Sequence, residues 1–272
     1  MALDRTKITI LLLVVIIVSL SFYLFTILKK EGGISNVLNL MLEESGPEIV
    51  EASSFHNEND KSPIVKIKQS VLLNAPVIKQ FPELPRGCEV TSLAMLLQYA
   101  GINVDKMELA QKVKKNPAPL TRDRDKIFWG DPNDGYIGDM YSYSNPGFAV
   151  YHTPIKDLAE QFLPGRIVDL TGKDFIELKT FLSLDIPVWV ITNTTYKILP
   201  ENAFEKWQTP NGEVKITYKE HSVLITGYDE KYVYFNDPIS GTKNMAITTT
   251  DFLDAWRQMG SQAVSYLPKI IE

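Results

Sequence analysis

The chain of 272 residues is poor in the side chains that hold metals and cross-links: it has one cysteine, Cys88, and three histidines, His56, His152 and His221. A single cysteine excludes an internal disulfide framework, and the scattered histidines match no metal-ligand spacing, so neither a metal nor a cofactor is expected. Basic residues are also scarce. Beyond residue 30 there are 24 Lys and Arg against 32 Asp and Glu. That balance excludes a nucleic-acid partner, whose phosphates require a basic face. No internal repeat is visible.

Long apolar runs are absent but for one. Residues 8–28 carry no charge, and at 1.5 Å per residue they reach across the hydrocarbon core of a bilayer. No small-residue cleavage site follows, so residues 1–30 read as an uncleaved signal-anchor. Arg5 and Lys7 before the span nearly balance Lys29 and Lys30 after it. The body is expected outside, at the cell membrane, on a single span. Residues 31–70 are rich in turn-forming and polar groups and read as a tether. Residues 71–272 remain, enough for one sizeable core.

Within that body, Cys88 opens a helical pattern. Val90, Leu93, Ala94 and Leu97 recur at the spacing of one buried face, Pro85 and Gly87 break structure before it, and Gly101 suits its end. A lone cysteine is more often a small buried hydrophobe. A thiol at a helix N-terminus, however, faces unpaired N–H groups that favour the thiolate, the nucleophilic form. A strand is expected over 71–80 and a short helix after Asp105. An irregular aromatic stretch over 116–154 is expected to form a cleft, since long loops in compact domains are commonly functional. Helices over 155–162 and 174–184 precede strands at 188–192, 214–218, 222–228 and 232–236, then a helix to Met259 and a strand at 263–267. A helix-rich half followed by an antiparallel sheet is an α+β fold.

His221 stands at the mouth of the apolar strand Ser222–Tyr228, and Asp237 ends the next strand sixteen residues on. A tight hairpin through Asp229–Lys231 makes the start of one strand and the end of the other neighbours. The carboxylate can then fix the imidazole tautomer and stabilise its cation. His56 lies in the tether. His152, in the aromatic stretch, is a possible cleft residue and equally a simple loop residue. Trp129, Asp134, Tyr136 and Asp139 are the further candidates for contacting substrate, although acidic turn residues are more often structural.

The segments Leu73–Gln80 and Pro82–Met95, the loop Gly130–Asp139, the strand Pro187–Val190 and the pairing of His221–Tyr228 with Asn236–Pro238 resemble, in order, the motifs of the C39-like peptidase family of bacterial membrane and cell-surface proteins. The resemblance spans about residues 70–267. It implies a papain-like fold and a catalytic set of Cys88, His221 and Asp237. It also implies an oxyanion-hole glutamine, for which Gln80 is the candidate. Gln80 lies eight residues before Cys88, farther than in the transporter-linked bacteriocin-processing members, with Pro82–Pro85 between. No transporter segment accompanies this chain, so processing during export is not carried over. The expected activity is hydrolysis of a peptide or protein through a thioester. A catalytically silent module that binds peptide or cell-wall polymer, and an acyl transferase using the same cysteine, are the alternatives.

Overall fold

Residues 66–268 are described by a computed structural model. The apolar span at 8–28, His56 and the tether up to residue 65 lie outside them. Among the described residues no helix is long and apolar enough to cross a membrane.

The chain enters through a two-residue strand, β1 (Val71–Leu72), shorter than the strand expected over 71–80. Leu73 N–H donates to Thr226 O at 2.7 Å and Gln80 N–H to Pro238 O at 2.8 Å. Pro76, between them, has no N–H to give, so the ladder stops. Helix α1 (Cys88–Tyr99) follows, then α2 (Lys106–Lys112), capped by Asp105, whose carboxylate accepts from Glu108 N–H. The stretch expected to be irregular contains short strands: β2 (Lys115–Asn116), β3 (Thr121–Asp123), β4 (Lys126–Phe128) and β5 (Tyr136–Ile137). Helices α3 (His152–Glu160) and α4 (Phe175–Ser183) flank β6 (Ile167–Asp169). Strands β7 (Val188–Asn193), β8 (Glu205–Thr209), β9 (Gly212–Ile216), β10 (Glu220–Tyr228), β11 (Tyr232–Asp237) and β12 (Thr242–Thr248) come next. Helix α5 (Thr249–Gln258) and β13 (Ala263–Tyr266) close the domain.

The main sheet is antiparallel, in the order β12-β11-β10-β7-β13-β6, with β1 paired to β10 beyond the end of β7. Gly227 admits that crossing, because a Cβ there would lie 2.1 Å from Val71 O. Strand β7 is buried at every position and β10 at all but its first, because helices cover both faces. On one face α1 docks through Ser92 Oγ, which donates to Ser222 O at 3.1 Å, and Trp189 Nε1, which donates to Glu89 O at 3.0 Å. On the other, Phe252 of α5 packs on Phe235 at 5.4 Å. The arrangement is α+β, with the helix-rich part first in sequence and an antiparallel sheet built mainly from the second half.

A smaller sheet, β3-β4-β8-β9, encloses a second core of Trp129, Ile137, Phe148, Ala149, Trp207 and Ile216. Strand β8 escapes sequence reading because Glu205 and Lys206 are exposed and only Trp207 faces inward. Phe148 meets Trp207 edge-on at 5.1 Å, so this small sheet props the aromatic loop from behind.

Candidate active site

Cys88 is the first residue of α1, and Gly87 before it caps the helix without a side-chain bond. Only a glycine fits, since a Cβ at Gly87 would lie 2.6 Å from Leu84 Cβ. The helix start presents unpaired N–H groups beside the sulfur, as its sequence position predicts. The charges around it were not predicted. Cys88 Sγ donates to Glu89 Oε2 at 3.3 Å, and the donor atoms of Cys88, Glu89 and Glu220 all lie within 4.8 Å of one another. Burial, then the Glu89 and Glu220 carboxylates, push the Cys88 thiol well above its ordinary range, while the Ser222 N–H works the other way. The expectation of a resting thiolate is therefore reversed: desolvation and two acids outweigh the helix terminus. Burial likewise raises Glu89 to about 7 against the pull of Val150 N–H, which its Oε1 accepts at 2.8 Å. Glu220 is raised well above its usual range by burial and by Glu89, and its Oε1 is buried without a partner among the described residues.

His221 and Asp237 meet as the hairpin geometry predicts. Leu224 stands opposite Asn236 in the β10–β11 register, and His221 Nε2 lies 2.8 Å from Asp237 Oδ1. The pair is buried, with the carboxylate also accepting from Ile239 N–H, Ser240 N–H and Ser240 Oγ. Burial opposes ionisation of Asp237, but the bond from His221, its charge and the Ser240 and Ile239 donors win and hold the carboxyl well below its usual range. Tyr196, at φ +53°, sits 6.1 Å from the imidazole and 4.8 Å from Phe235. Neighbours in a strand point to opposite faces, so Glu220 and His221 leave β10 on different sides. Among the described residues no hydrogen bond joins Cys88 to His221, whose Nδ1 is buried and unpartnered. The backbone of Ser222, the residue after His221, is the group that favours the thiolate.

Cys88 lies in a cleft of about 340 Å³ that Gln80, Arg86, Tyr143, Phe148 and Glu220 also line. Gln80 is buried, and its Nε2 donates to Pro85 O at 2.9 Å, leaving one amide N–H over and Oε1 without a partner among the described residues. Arg86 is tied to the loop: its Nη1 donates to Asp139 O and Asn145 O, each at 3.2 Å, and to Ser142 O, and its guanidinium lies over the Tyr143 ring at 4.7 Å. The aromatic stretch thus reaches the cleft through Tyr143, Gly147 and Phe148.

The five sequence candidates for substrate contact sit elsewhere. Trp129 is buried against Trp207 at 5.3 Å, in the second core. Tyr136 is fully buried and its hydroxyl donates to Arg86 O at 2.8 Å, bracing the segment before the cysteine. Asp134 Oδ2 accepts from Asn211 Nδ2 at 2.9 Å, tying the loop to the β8–β9 turn. Asp139 accepts from Tyr141 N–H and Asn145 Nδ2 within its own turn, and those bonds, with Asn145 the strongest, depress its carboxyl. His152 lines a different cavity, of about 400 Å³, and its Nδ1 pairs with Asp169 at 2.9 Å. Aromatic and acidic residues of the loop build its frame because the loop packs on itself and on β8. Glu89 and Glu220, adjacent to the cysteine and to His221, were the residues that sequence reasoning passed over. Their only signal was a charge set directly beside each reactive candidate.

The sequence profile of the Peptidase_C39 like family matches residues 72–264. The chain is 50% identical over 183 residues to the uncharacterized protein YvpB of Bacillus subtilis (strain 168), covering 67% of this chain and 70% of that protein. It is also similar to the crystal structure of a candidate C39-like peptidase from Bacillus anthracis. That match has 46% identity and a TM-score of 0.70, and covers 75% of this chain and 100% of the other.

Proposed function

The chain belongs to the Peptidase_C39 like family, and from that premise we propose that it is a membrane-anchored cysteine peptidase acting outside the cell on peptide or protein substrates. One observation carries the reading: His221 is bonded to Asp237 through Nε2 while its buried Nδ1 has no partner among the described residues, and the helix that begins at Cys88 is bonded to the next residue of that strand, Ser222. An imidazole held in this way can take a proton at Nδ1 while Asp237 stabilises the cation.

Because the resting thiol is held neutral, the proton leaves during attack instead of before it. For the pair to work, the S–H leaves Glu89 and gives its proton to His221 Nδ1. As the proton passes to Nδ1, the sulfur bonds to the substrate carbonyl carbon and the carbonyl π pair moves onto oxygen. The Cys88 backbone N–H and the spare Gln80 amide N–H are the donors for that oxyanion. Collapse breaks the C–N bond, and the imidazolium proton goes to the leaving amine. Water then hydrolyses the thioester, with His221 as base. Residues 8–28 supply the membrane anchor.

The test is capture and cleavage. An electrophilic peptide probe should label Cys88 in the wild type and not in Cys88→Ala, and a peptide library should be cut by the first and not the second. Labelling that requires denaturation, with no peptide cut, would leave the binding-module reading.

A further inference from the structure

We infer that the cleft selects substrates presenting an ammonium group beside the scissile bond, with Glu220 as its acceptor. The incoming cation favours the ionised carboxylate that burial and Glu89 disfavour in the free cleft. This specificity rests on the reading of Cys88 as nucleophile. Among the described residues two acceptors in the cleft lack any partner: Glu220 Oε1 and Oε1 of Gln80, a residue only 2% exposed. A buried acceptor left unmade is costly, so such a pair marks the place of an absent donor. Among the described residues no protein cation is hydrogen-bonded to Glu220. Arg86, which lines the same cleft, donates through Nη1 to the carbonyls of residues 139, 142 and 145 instead. Lys115, the cation that acts on Glu89, donates to Ala110 O at 2.7 Å and lies over the Tyr136 ring at 5.1 Å. Glu89 already has the Val150 N–H and the thiol, which leaves Glu220 as the carboxyl without a donor.

The rim supplies the second half of an organic-cation site. Tyr143 and Tyr218 line the cleft with 63% and 59% of their surfaces exposed, and Phe148 lies beneath Tyr218 edge-on at 5.7 Å. Aromatic faces attract ammonium groups. A bare metal ion would use the sulfur and the two carboxylates but leave Gln80 Oε1 and the aromatic rim unused. An ammonium group carries three donors, enough for the two acceptors that line this one cleft. The source is a lysine-type side chain or a free α-amine.

Cys88 is the only thiol in the chain, so alkylation of the full-length protein reports this site alone. Three chloromethyl ketones are compared in EDTA by intact mass: N-acetyl-lysyl, N-acetyl-norleucyl and norleucyl with a free α-amine. A charge-assisted hydrogen bond of about 1.5–3 kcal/mol predicts about a tenfold to hundredfold rate advantage for the matching cation. A fast lysyl reagent assigns the side chain, and a fast free-amine norleucyl reagent assigns the N-terminus. Glu220→Gln should bring the ratio of cationic to neutral rates to about one. A parallel wild-type comparison of aminoethyl and sulfonatoethyl methanethiosulfonates needs no variant, and the cationic reagent should be the faster. Equal rates for all three ketones, or a preference that survives Glu220→Gln in folded protein, overturn the inference while Cys88 remains a nucleophile. A thiol that none of these reagents reaches in folded protein overturns both this inference and the peptidase reading.

Discussion

Asp237→Asn tests the central pair without depending on any substrate. Four donors converge on the Asp237 carboxylate: His221 Nε2 at 2.8 Å, Ile239 N–H at 2.9 Å, Ser240 N–H at 3.1 Å and Ser240 Oγ at 2.6 Å. The first two use Oδ1 and the last two Oδ2. An asparagine keeps one acceptor oxygen, so its NH2 faces one of these donor pairs. With the oxygen kept at His221, the Ser240 hydroxyl can turn to accept, but its backbone N–H cannot. A stranded N–H costs about 1–3 kcal/mol, and losing the charge from the other bonds brings the total to about 2–4 kcal/mol. For a domain of this size that is a fall in Tm of about 4–16 °C. The folded pKa of Asp237 lies below its unfolded value. Its contribution is therefore fully present above the unfolded pKa of about 3.9 and is lost as the pH falls through the folded one. Thermal unfolding followed by circular dichroism should show a constant gap between wild type and Asp237→Asn from pH 7 to about pH 5, closing at lower pH. A variant that unfolds within about 0.5 kcal/mol of wild type at pH 7 would refute the assignment of these four donors to one ionised acceptor.

Three further outcomes are expected, two at the sulfur and one in the second core. Iodoacetamide alkylation of Cys88 in the free protein should rise with pH along a curve above the ordinary thiol value of about 8.5. Glu89→Gln, which removes an acid from beside the sulfur, should move that curve to lower pH, and full reactivity of the wild type at pH 6 would contradict the burial of two acids there. Trp129→Ala should cost about 3–5 kcal/mol in denaturant unfolding, because the indole is buried against Trp207. A folded variant of unchanged stability with altered substrate binding would return Trp129 to the cleft.

Local rules carried a good part of this protein. The helix beginning at Cys88 follows from a 3.6-residue apolar period and the Pro85 and Gly87 breaks before it, and the structure starts it at that residue. The meeting of His221 and Asp237 follows from a hairpin closed within sixteen residues, where the register of two strands settles which ends are adjacent. Periodicity and hairpin closure are short-range, so the residues that obey them can be read in order along the chain.

The electrostatic state of the sulfur was decided only by the tertiary structure. Glu220 reaches Cys88 because α1 packs across β10, an encounter of segments about 130 residues apart that Ser92 and Ser222 record directly. Desolvation depends on everything packed around a group, and it reversed the sign that the helix N-terminus alone would give the thiol. The same distinction separates Tyr143 and Phe148, which line the cleft, from Trp129 and Tyr136, which do not. All four are aromatic residues of one stretch, and only the placement of the small sheet against that stretch determines which rings it buries.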